Sequence, residues 1–207
     1  MAKKKAIYIE NGSFKILQDS DSLMSSGSGI YNFTSSNNRL YSSPSNGTSL
    51  STAALVANTL YAMPFISEKR FIVSLLKMSV TVASAGSTVR AGIYSDNGSC
   101  YPNFKLNDLG QASGASVAVI QFSNSLPVSY AENLFWLVCV VSAAITVKGF
   151  SVAGLIPLLG TDSNIGNAPG FGYSISTGVS TLPASFPTGA AIRTAAPLPY
   201  MGLFITG

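Results

Sequence analysis

The sequence predicts an all-β protein with the architecture of an antiparallel β-sandwich. Charged residues make up 10% of the 207 residues and hydrophobic residues 47%, with 19 glycines and 10 prolines, which is typical of a sheet protein rich in turns. Residues 71–83 alternate apolar and polar side chains with the two-residue period of a half-buried strand. No stretch has the pattern of a long helix. A chain of this length predicts one sizeable core and a short additional segment.

The first predicted element is a short N-terminal β-hairpin. Residues 6–10 and 13–17 are separated by Asn11-Gly12, a pair that tolerates the two positive φ values of a type I′ turn. Two strands alone are marginally stable, so their apolar residues need another surface, either the main domain or copies of the hairpin. We expect copies. The residues predicted to form this oligomer and attachment contact are Ile7, Ile9, Phe14 and Ile16.

A polar segment separates the hairpin from the main domain. Residues 20–36 are rich in Ser, Gly and Asn, which is typical of a linker or an extended wrapping segment. We therefore predict an attachment and oligomerisation hairpin with its linker over residues 1–37. The sandwich is predicted over residues 38–207.

The main domain begins with an ambiguous segment and continues with a clear strand. Residues 50–63 could include a helical turn, which Pro64 would end. Residues 71–83 then predict a strand with one buried face, formed by Ile72, Leu76, Met78, Val80 and Val82.

Residues 89–110 predict a strand, a turn, a surface loop and a second strand. Ser95-Asp96-Asn97-Gly98 supplies side chains that bond local backbone and a glycine that accepts positive φ. Pro102 lacks an amide hydrogen, so residues 99–103 are predicted to cross the surface before the second strand begins.

Further strands are predicted at residues 117–122, 133–141 and 145–148, with a loop at 123–132. The apolar run at 134–147 is shorter than the roughly 20 residues of a membrane-spanning helix, so we predict two buried strands and no membrane insertion. Several short strands separated by turns favour a sandwich of jelly-roll type.

Residues 160–199 predict a loop-rich excursion because glycine and proline recur throughout them. Short strands are predicted at residues 171–176 and 201–206. Long irregular excursions are uncommon in compact domains and are often functional, so we expect partner contact here. The predicted contact residues are Phe171, Tyr173 and Phe186. The alternative is that these aromatic side chains anchor the long loops to the sandwich.

The sequence offers little for catalysis or metal binding. It contains no histidine, which removes the commonest general base and metal ligand. Asp96 and Asp108 could form a glycosidase pair or, with Asn97, a calcium site, but local hydrogen bonding explains them better. Cys100 and Cys139 match no zinc, redox or disulfide spacing. We expect no catalytic residue, metal or cofactor, so the chain is predicted not to be an enzyme.

Two further classes of partner are disfavoured. Trp136 could stack on a sugar ring, but a tryptophan within an apolar strand is more often a core residue. Of a formal net charge of +4, Lys3, Lys4 and Lys5 supply three charges and leave +1 for the rest, so nucleic-acid binding is not expected. The first residues also lack the apolar region of a secretory signal, which predicts synthesis in a cytoplasm.

Arg90-Ala-Gly-Ile-Tyr-Ser-Asp-Asn-Gly98, followed by Tyr101-Pro102 and Leu106-Asn-Asp-Leu-Gly110, carries a family resemblance. It resembles the R-x-G-I-Y-x-D-x-G signature of a β-sandwich domain in virion proteins of tailed bacteriophages. Residues 38–44 and 58–65 resemble segments upstream of that signature, and residues 135–137 its downstream Y-W-L strand. Asn103 departs from the pattern, since a glycine often follows the proline.

The resemblance implies a jelly-roll-like sandwich in a non-enzymatic virion structural protein. The expected protein is a homo-oligomeric, by analogy trimeric, head fibre, tail fibre, spike or decoration protein. It would be made in the host cytoplasm and join other virion proteins through its N-terminal segment. The alternative is a carbohydrate-binding adhesin or receptor-binding module that contacts a host-surface glycan. A glycan-degrading spike is the third possibility.

Overall fold

The computed structural model describes residues 7–10, 13–16, 40–42, 50–67, 71–130, 133–151, 158–160 and 168–206. All regular secondary structure in these residues is β-strand. The chain divides into two compact units, Met1–Asn32 and Phe33–Gly207. The predicted boundary at residue 37 lies outside the described residues. None of the described residues forms a helix long and apolar enough to cross a membrane.

The first unit contains the predicted hairpin. Strands β1 (Ile7–Glu10) and β2 (Ser13–Ile16) pair antiparallel, with Ile7 opposite Ile16 and Ile9 opposite Phe14. Directly opposite residues share a face, and so do residues two apart along a strand. The register therefore puts all four apolar residues at positions on one face of the ladder. The hairpin prediction is confirmed, while its role in oligomerisation stays a prediction.

The second unit contains two antiparallel sheets. Its strands are β3 (Leu40–Tyr41), β4 (Leu50–Leu55), β5 (Thr59–Ser67), β6 (Phe71–Val82), β7 (Thr88–Asp96), β8 (Pro102–Ser113), β9 (Val119–Tyr130), β10 (Asn133–Val141), β11 (Ile145–Phe150), β12 (Gly172–Ser176), β13 (Ala191–Arg193), β14 (Leu198–Pro199) and β15 (Gly202–Thr206). One sheet has the order β13-β12-β5-β10-β7-β8. In the other, β6 pairs with β9 on one side and with β15 and β11 on the other. Strand β15 pairs in turn with β3, and β11 pairs with β4 and β14.

The two sheets pack face to face through an aromatic core. Phe65 and Phe135 on the six-stranded sheet contact Phe71 of β6, with ring centroids 5.5 and 5.6 Å apart. Tyr130 of β9 joins the same group, 5.3 Å from Phe135. The predicted all-β sandwich is confirmed, and the jelly-roll type stays a prediction.

Strand β6 contains a bulge at Ser74 that changes which alternate residues are buried. In the ladders that β6 forms with β9 and with β15, Val73 and Leu75 each have a partner, and Ser74 between them has no assigned register partner. A single extra residue reverses the two-residue alternation. The predicted burial of Ile72 on the same face as the others is therefore wrong, and Ile72 is half-buried. Val82 keeps the alternation of Met78 and Val80, but it is the last residue of β6 and is 58% exposed, so its predicted burial is also wrong. The buried residues of β6 are Phe71, Val73, Leu76, Met78 and Val80.

Two segments form strands that the sequence did not predict. Residues 50–63 form β4 and the start of β5 with no helical turn, and Pro64 lies within β5 opposite Trp136. The ladder between β5 and β12 ends at Ala62, so the missing amide of Pro64 interrupts no bond to β12. The predicted loop at residues 123–132 is also wrong, because β9 continues to Tyr130.

The ladder between β9 and β6 is irregular, and its register shows where the irregularity lies. The step from Val73 to Leu75 on β6 is opposed by the step from Ser123 to Val128 on β9. The additional residues in β9 form a bulge that includes Pro127, which cannot donate to a regular ladder. The proline therefore produces an irregular strand rather than ending it.

Gly92 of β7 lies where the backbone permits no side chain. A Cβ there would be 2.7 Å from the carbonyl oxygen of Asn107 and 2.8 Å from Cδ1 of Leu182. Gly92→Ala should lower the free energy of unfolding by about 1–3 kcal/mol, because a backbone oxygen cannot move away cheaply. Chemical denaturation followed by circular dichroism measures this loss.

Gly98→Asn is the control for this prediction. Gly98 has φ +87° and nothing within 4 Å of its Cβ position, and asparagine tolerates left-handed backbone. Its cost should stay below about 1 kcal/mol. Equal stability losses in the two variants would contradict the steric explanation for Gly92.

Candidate functional site

The outer face of the six-stranded sheet is covered by residues 182–190, which we call the cover segment. Trp136, Val138 and Val140 of β10 point to this face and are fully buried, and Leu182 and Phe186 of the cover segment pack in the same cluster. The opposite face of β10 packs on the second sheet. The central strands are therefore buried on both faces.

Side chains from β7 and β8 and from the loop between them hold the cover segment by its backbone. Tyr94 Oη donates to the carbonyl oxygen of Pro183 at 2.6 Å, and Lys105 Nζ donates to that of Leu182 at 3.0 Å. Tyr101 Oη donates to the carbonyl oxygen of Pro187 at 2.6 Å and accepts a bond from the amide of Ala190 at 3.0 Å. The cover segment contains prolines and a glycine and forms no regular ladder at these carbonyl groups. The tyrosine hydroxyls therefore supply the hydrogen bonds that a neighbouring strand would otherwise give them.

The cover segment also extends the edge of the sheet. The amide of Lys105 donates to Ala184 O at 2.8 Å, and the amide of Phe186 donates to Asn103 O at 2.7 Å. Phe104 and Ser185 form an isolated antiparallel bridge between these bonds. The first residues of β8 therefore have a strand partner on their outer edge, and this pairing protects that part of the sheet.

An aromatic cluster fills the space beneath the cover segment. Tyr101 lies 4.7 Å from Tyr173 and 5.9 Å from Phe186 between ring centroids, both edge-on. Trp136 lies 5.4 Å from Tyr173, and Tyr94 lies 6.0 Å from Phe186. Burial raises the pKa of the Tyr94 hydroxyl well above its usual range, and Asp108 adds to this effect. Tyr94 therefore stays neutral and able to donate.

The predicted partner-contact residues belong to the interior. Phe171, Tyr173 and Phe186 are 5, 8 and 5% exposed. Tyr173 Oη donates to Cys100 O at 3.0 Å, and burial raises the pKa of this hydroxyl. The prediction that these side chains present their rings to a partner is wrong. The alternative interpretation, that they anchor the irregular segment, agrees with their burial.

The signature loop after β7 has the predicted local hydrogen bonds. Asp96 Oδ2 accepts from the amide of Gly98 and Asn97 Oδ1 from that of Ser99, both at 2.7 Å, and Gly98 has φ +87°. Asp96 Oδ1 also accepts from Trp136 Nε1 at 2.8 Å. Both carboxylate oxygens of Asp96 therefore stabilise the fold.

Asp108 does not combine with Asp96 into one site. Asp108 lies opposite Gly92, four residues along β7 from Asp96, so their backbone positions are about 13 Å apart. Paired glycosidase carboxyl groups lie about 5–9.5 Å apart. Asp108 instead accepts from Lys105 Nζ at 3.1 Å and from the Gly110 amide at 3.0 Å. Among the described residues, no three His, Cys, Asp or Glu side chains form a metal-binding group.

The remaining polar and apolar features of the described residues include no catalytic arrangement. Cys100 and Cys139 are free thiols, and burial raises the pKa of Cys139 to about 12, so this thiol is not an activated nucleophile. A cleft of about 190 Å³ on the seven-stranded sheet is lined by Leu40, Leu50, Lys77, Met78, Ser79, Val119, Lys148 and Tyr200. Its volume is below the roughly 300–1,000 Å³ of typical ligand pockets.

Sequence reasoning missed the residues that hold the cover segment, namely Tyr94, Tyr101 and Lys105. Tyr94 and Tyr101 lie within the quoted signature stretch, but their partners Pro183 and Pro187 are more than 80 residues away along the chain. Local patterns contain no information about such pairings. The recurrence of proline beside Leu182 and Phe186 was the available signal, since it suggests an extended apolar segment rather than a free loop.

Comparison with models of known protein families found no match, and comparison with curated proteins also found none. The functional interpretation therefore depends on the residues and geometry of this chain.

Phe186→Ala should destabilise the second unit strongly, because the ring is buried under Tyr94 and Tyr101. A buried Phe→Ala change costs about 3–5 kcal/mol, which corresponds to a fall of roughly 10 °C in Tm for a chain of this size. Differential scanning calorimetry measures the shift.

Phe104→Ala is the matched control, since Phe104 is on the adjacent edge and is 60% exposed. Its Tm should change by less than about 2 °C. If Phe186→Ala kept the Tm of the unaltered chain, the anchoring role of the cover segment would be refuted.

Proposed function

We propose that this chain is a non-enzymatic structural protein of a bacteriophage virion. It forms a homo-oligomer, a trimer, and is displayed on the particle surface as a fibre, spike or decoration protein. The N-terminal hairpin joins the copies and attaches them to other virion proteins. The sandwich projects outward.

The observation that carries this proposal is the register of the hairpin. Ile7, Ile9, Phe14 and Ile16 occupy positions on one face of a two-stranded ladder within the compact unit Met1–Asn32. A two-stranded ladder needs a further surface to bury such a face. Copies of the same hairpin around a symmetry axis supply that surface to one another.

The signature stretch supports the virion assignment as a sequence resemblance, and in this chain it folds as a strand, a turn and a second strand. Arg90–Asp96 belongs to β7, the Asp96-Asn97-Gly98 turn follows it, and the next strand begins at Pro102. The motif residues support the sheet: Gly92 allows close packing, Tyr94 holds the cover segment, and Asp96 binds Trp136. These three motif residues therefore have structural roles, and none of them is free to act as a catalytic group.

The glycan-binding alternative is less well supported by the aromatic residues that suggested it. Sugar rings stack on exposed aromatic faces, whereas Trp136, Phe171, Tyr173 and Phe186 are all buried. A glycan-degrading spike would need a pair of carboxylates, and Asp96 and Asp108 are engaged separately. These observations leave the structural role as the better supported proposal.

Ile9→Asp in the full chain should abolish the oligomer while the sandwich stays folded. A charge in the centre of the apolar face would have to be desolvated on assembly. Tyr8→Asp is the matched control, because Tyr8 pairs with Lys15 on the opposite face and the change in net charge is the same. Light scattering should give a monomer mass for Ile9→Asp and the parental mass for Tyr8→Asp. Parental mass in both variants would refute hairpin-mediated assembly.

The location on the particle requires a separate experiment. Gold-labelled antibody against the chain should decorate intact particles of the phage that encodes it, at regularly repeated sites on the head or tail. Absence of label from particles, with label retained on the purified chain, would reject the virion assignment.

A further inference from the structure

The cleft on the seven-stranded sheet contains two lysine side chains, and we call it the lysine cleft. Lys77 belongs to β6 and Lys148 to β11. Val80 of β6 is opposite Val147 of β11, so the two lysines lie on adjacent strands near one pair of the ladder. Leu76 and Val147, which precede them in sequence, are fully buried. The two-residue alternation of a strand therefore puts both lysines on the face that points away from the core.

No opposite charge accompanies these lysines within their own sheet. The described residues of β3, β4, β6, β9, β11, β14 and β15 include no Asp or Glu. The ion pairs that Arg90 and Lys105 form with Asp108 belong to the six-stranded sheet. Two positive charges in one cleft repel each other, and a negative charge placed between them is attracted by both. The charges therefore favour an anion in the lysine cleft.

The rest of the lining is mainly apolar. It consists of two residues with hydroxyl groups, Ser79 and Tyr200, and four with apolar side chains, Leu40, Leu50, Met78 and Val119. Leu50 and Val119 are 56 and 66% exposed, so a ligand that covered them would remove apolar surface from water. An anion without an apolar part would gain nothing from these side chains. The lining therefore favours a ligand whose charged group is attached to an apolar group.

The lysine cleft is small, and the strands around it fix its shape. The amide of Tyr200 donates to Lys148 O at 2.8 Å, and the Tyr200 ring lies 5.1 Å from that of Phe150 between centroids. Gly202 of β15 is opposite Lys77. The volume of about 190 Å³ is too small to enclose a typical whole ligand. It admits a single charged group with the few carbon atoms next to it.

We propose that the lysine cleft binds a carboxylate attached to a small apolar group. The two oxygens of a carboxylate can each accept from one ammonium group, and its single charge is cheaper to bring beside apolar side chains than the double charge of a phosphate. A nucleic acid would need a longer row of cations than these two lysines.

Two sources supply this chemistry: an acidic residue next to an aliphatic one in a peptide, and a free organic acid. The site lies within the second unit and does not depend on assembly through the hairpin. Its test is therefore separate from that of the proposed function.

A titration of the full chain followed by NMR tests the proposal, with the Met78 methyl group as the reporter. Pentanoate, at constant ionic strength near neutral pH, should shift the Met78 signal in a saturable way. Pentanol has the same apolar chain without the charge, and inorganic phosphate has charge without the chain. Each should bind at least about 5-fold more weakly than pentanoate. Equal binding of pentanol, or equal or tighter binding of phosphate, would overturn the proposal.

Lys77→Gln and Lys148→Gln should each weaken pentanoate binding by about 3-fold or more, because each removes one of the two ammonium groups. Arg90→Gln is the matched control, since it removes the same charge from the six-stranded sheet and should leave the affinity unchanged. Circular dichroism checks that the variants are folded, and the use of two lysine variants keeps the test valid if one fails to fold. Unaltered affinity in the folded lysine variants would refute the site, as would an equal loss in Arg90→Gln.

A pair of dipeptides distinguishes the two sources of the carboxylate. Acetyl-Leu-Asp-amide should bind more tightly than acetyl-Leu-Asn-amide, which has nearly the same shape without the charge. Tighter binding of the acidic dipeptide than of pentanoate assigns the site to a protein partner, and the reverse order assigns it to a free organic acid. Equal binding of the two dipeptides, together with equal binding of pentanoate and pentanol, would show that the lysines recognise no carboxylate.

Discussion

The hydrogen bonds from Tyr94 and Tyr101 to the cover segment are the interactions on which the six-stranded sheet depends. Its central strands β5 and β10 have almost no exposed residue, so an apolar layer is needed on each face. The second sheet provides one layer. The other is an irregular segment whose carbonyl groups need donors, and the two tyrosine hydroxyls and Lys105 Nζ supply them. Loss of these donors would leave buried carbonyls unpaired, at about 1–3 kcal/mol each.

The need for an apolar layer on the outer face of the six-stranded sheet also explains the residues of the signature stretch. Gly92 lets Leu182 approach the backbone of β7, Tyr94 binds the carbonyl of Pro183, and Asp96 orients Trp136 beneath Tyr173. These positions are constrained by how the sheet is covered, not by chemistry at a site. A motif of this kind carries information about the fold and much less about what the protein binds.

The sequence was sufficient for the elements whose signals are local, and insufficient for the irregular strands and for the burial of several residues. Two-residue alternation predicted β6, and Asn-Gly and Asp-Asn-Gly predicted the hairpin and the Asx turns, because these signals are local. The bulge at Ser74 was missed since its only trace is the adjacent apolar pairs on either side of it. The burial of Phe186 was missed for a different reason: glycine and proline content reports irregular backbone, and irregular backbone can lie in the interior when distant side chains satisfy it.

The burial of aromatic residues in the irregular segment limits where a partner can bind. The cover segment covers the outer face of the six-stranded sheet, and the second sheet packs on its inner face. Most of the described aromatic side chains of the second unit are therefore buried within the fold. Of the large apolar side chains that the described residues of this unit still expose, all but Phe104 are aliphatic. Aliphatic side chains offer no ring face for stacking, so a partner that bound them would be selected by shape rather than by direction.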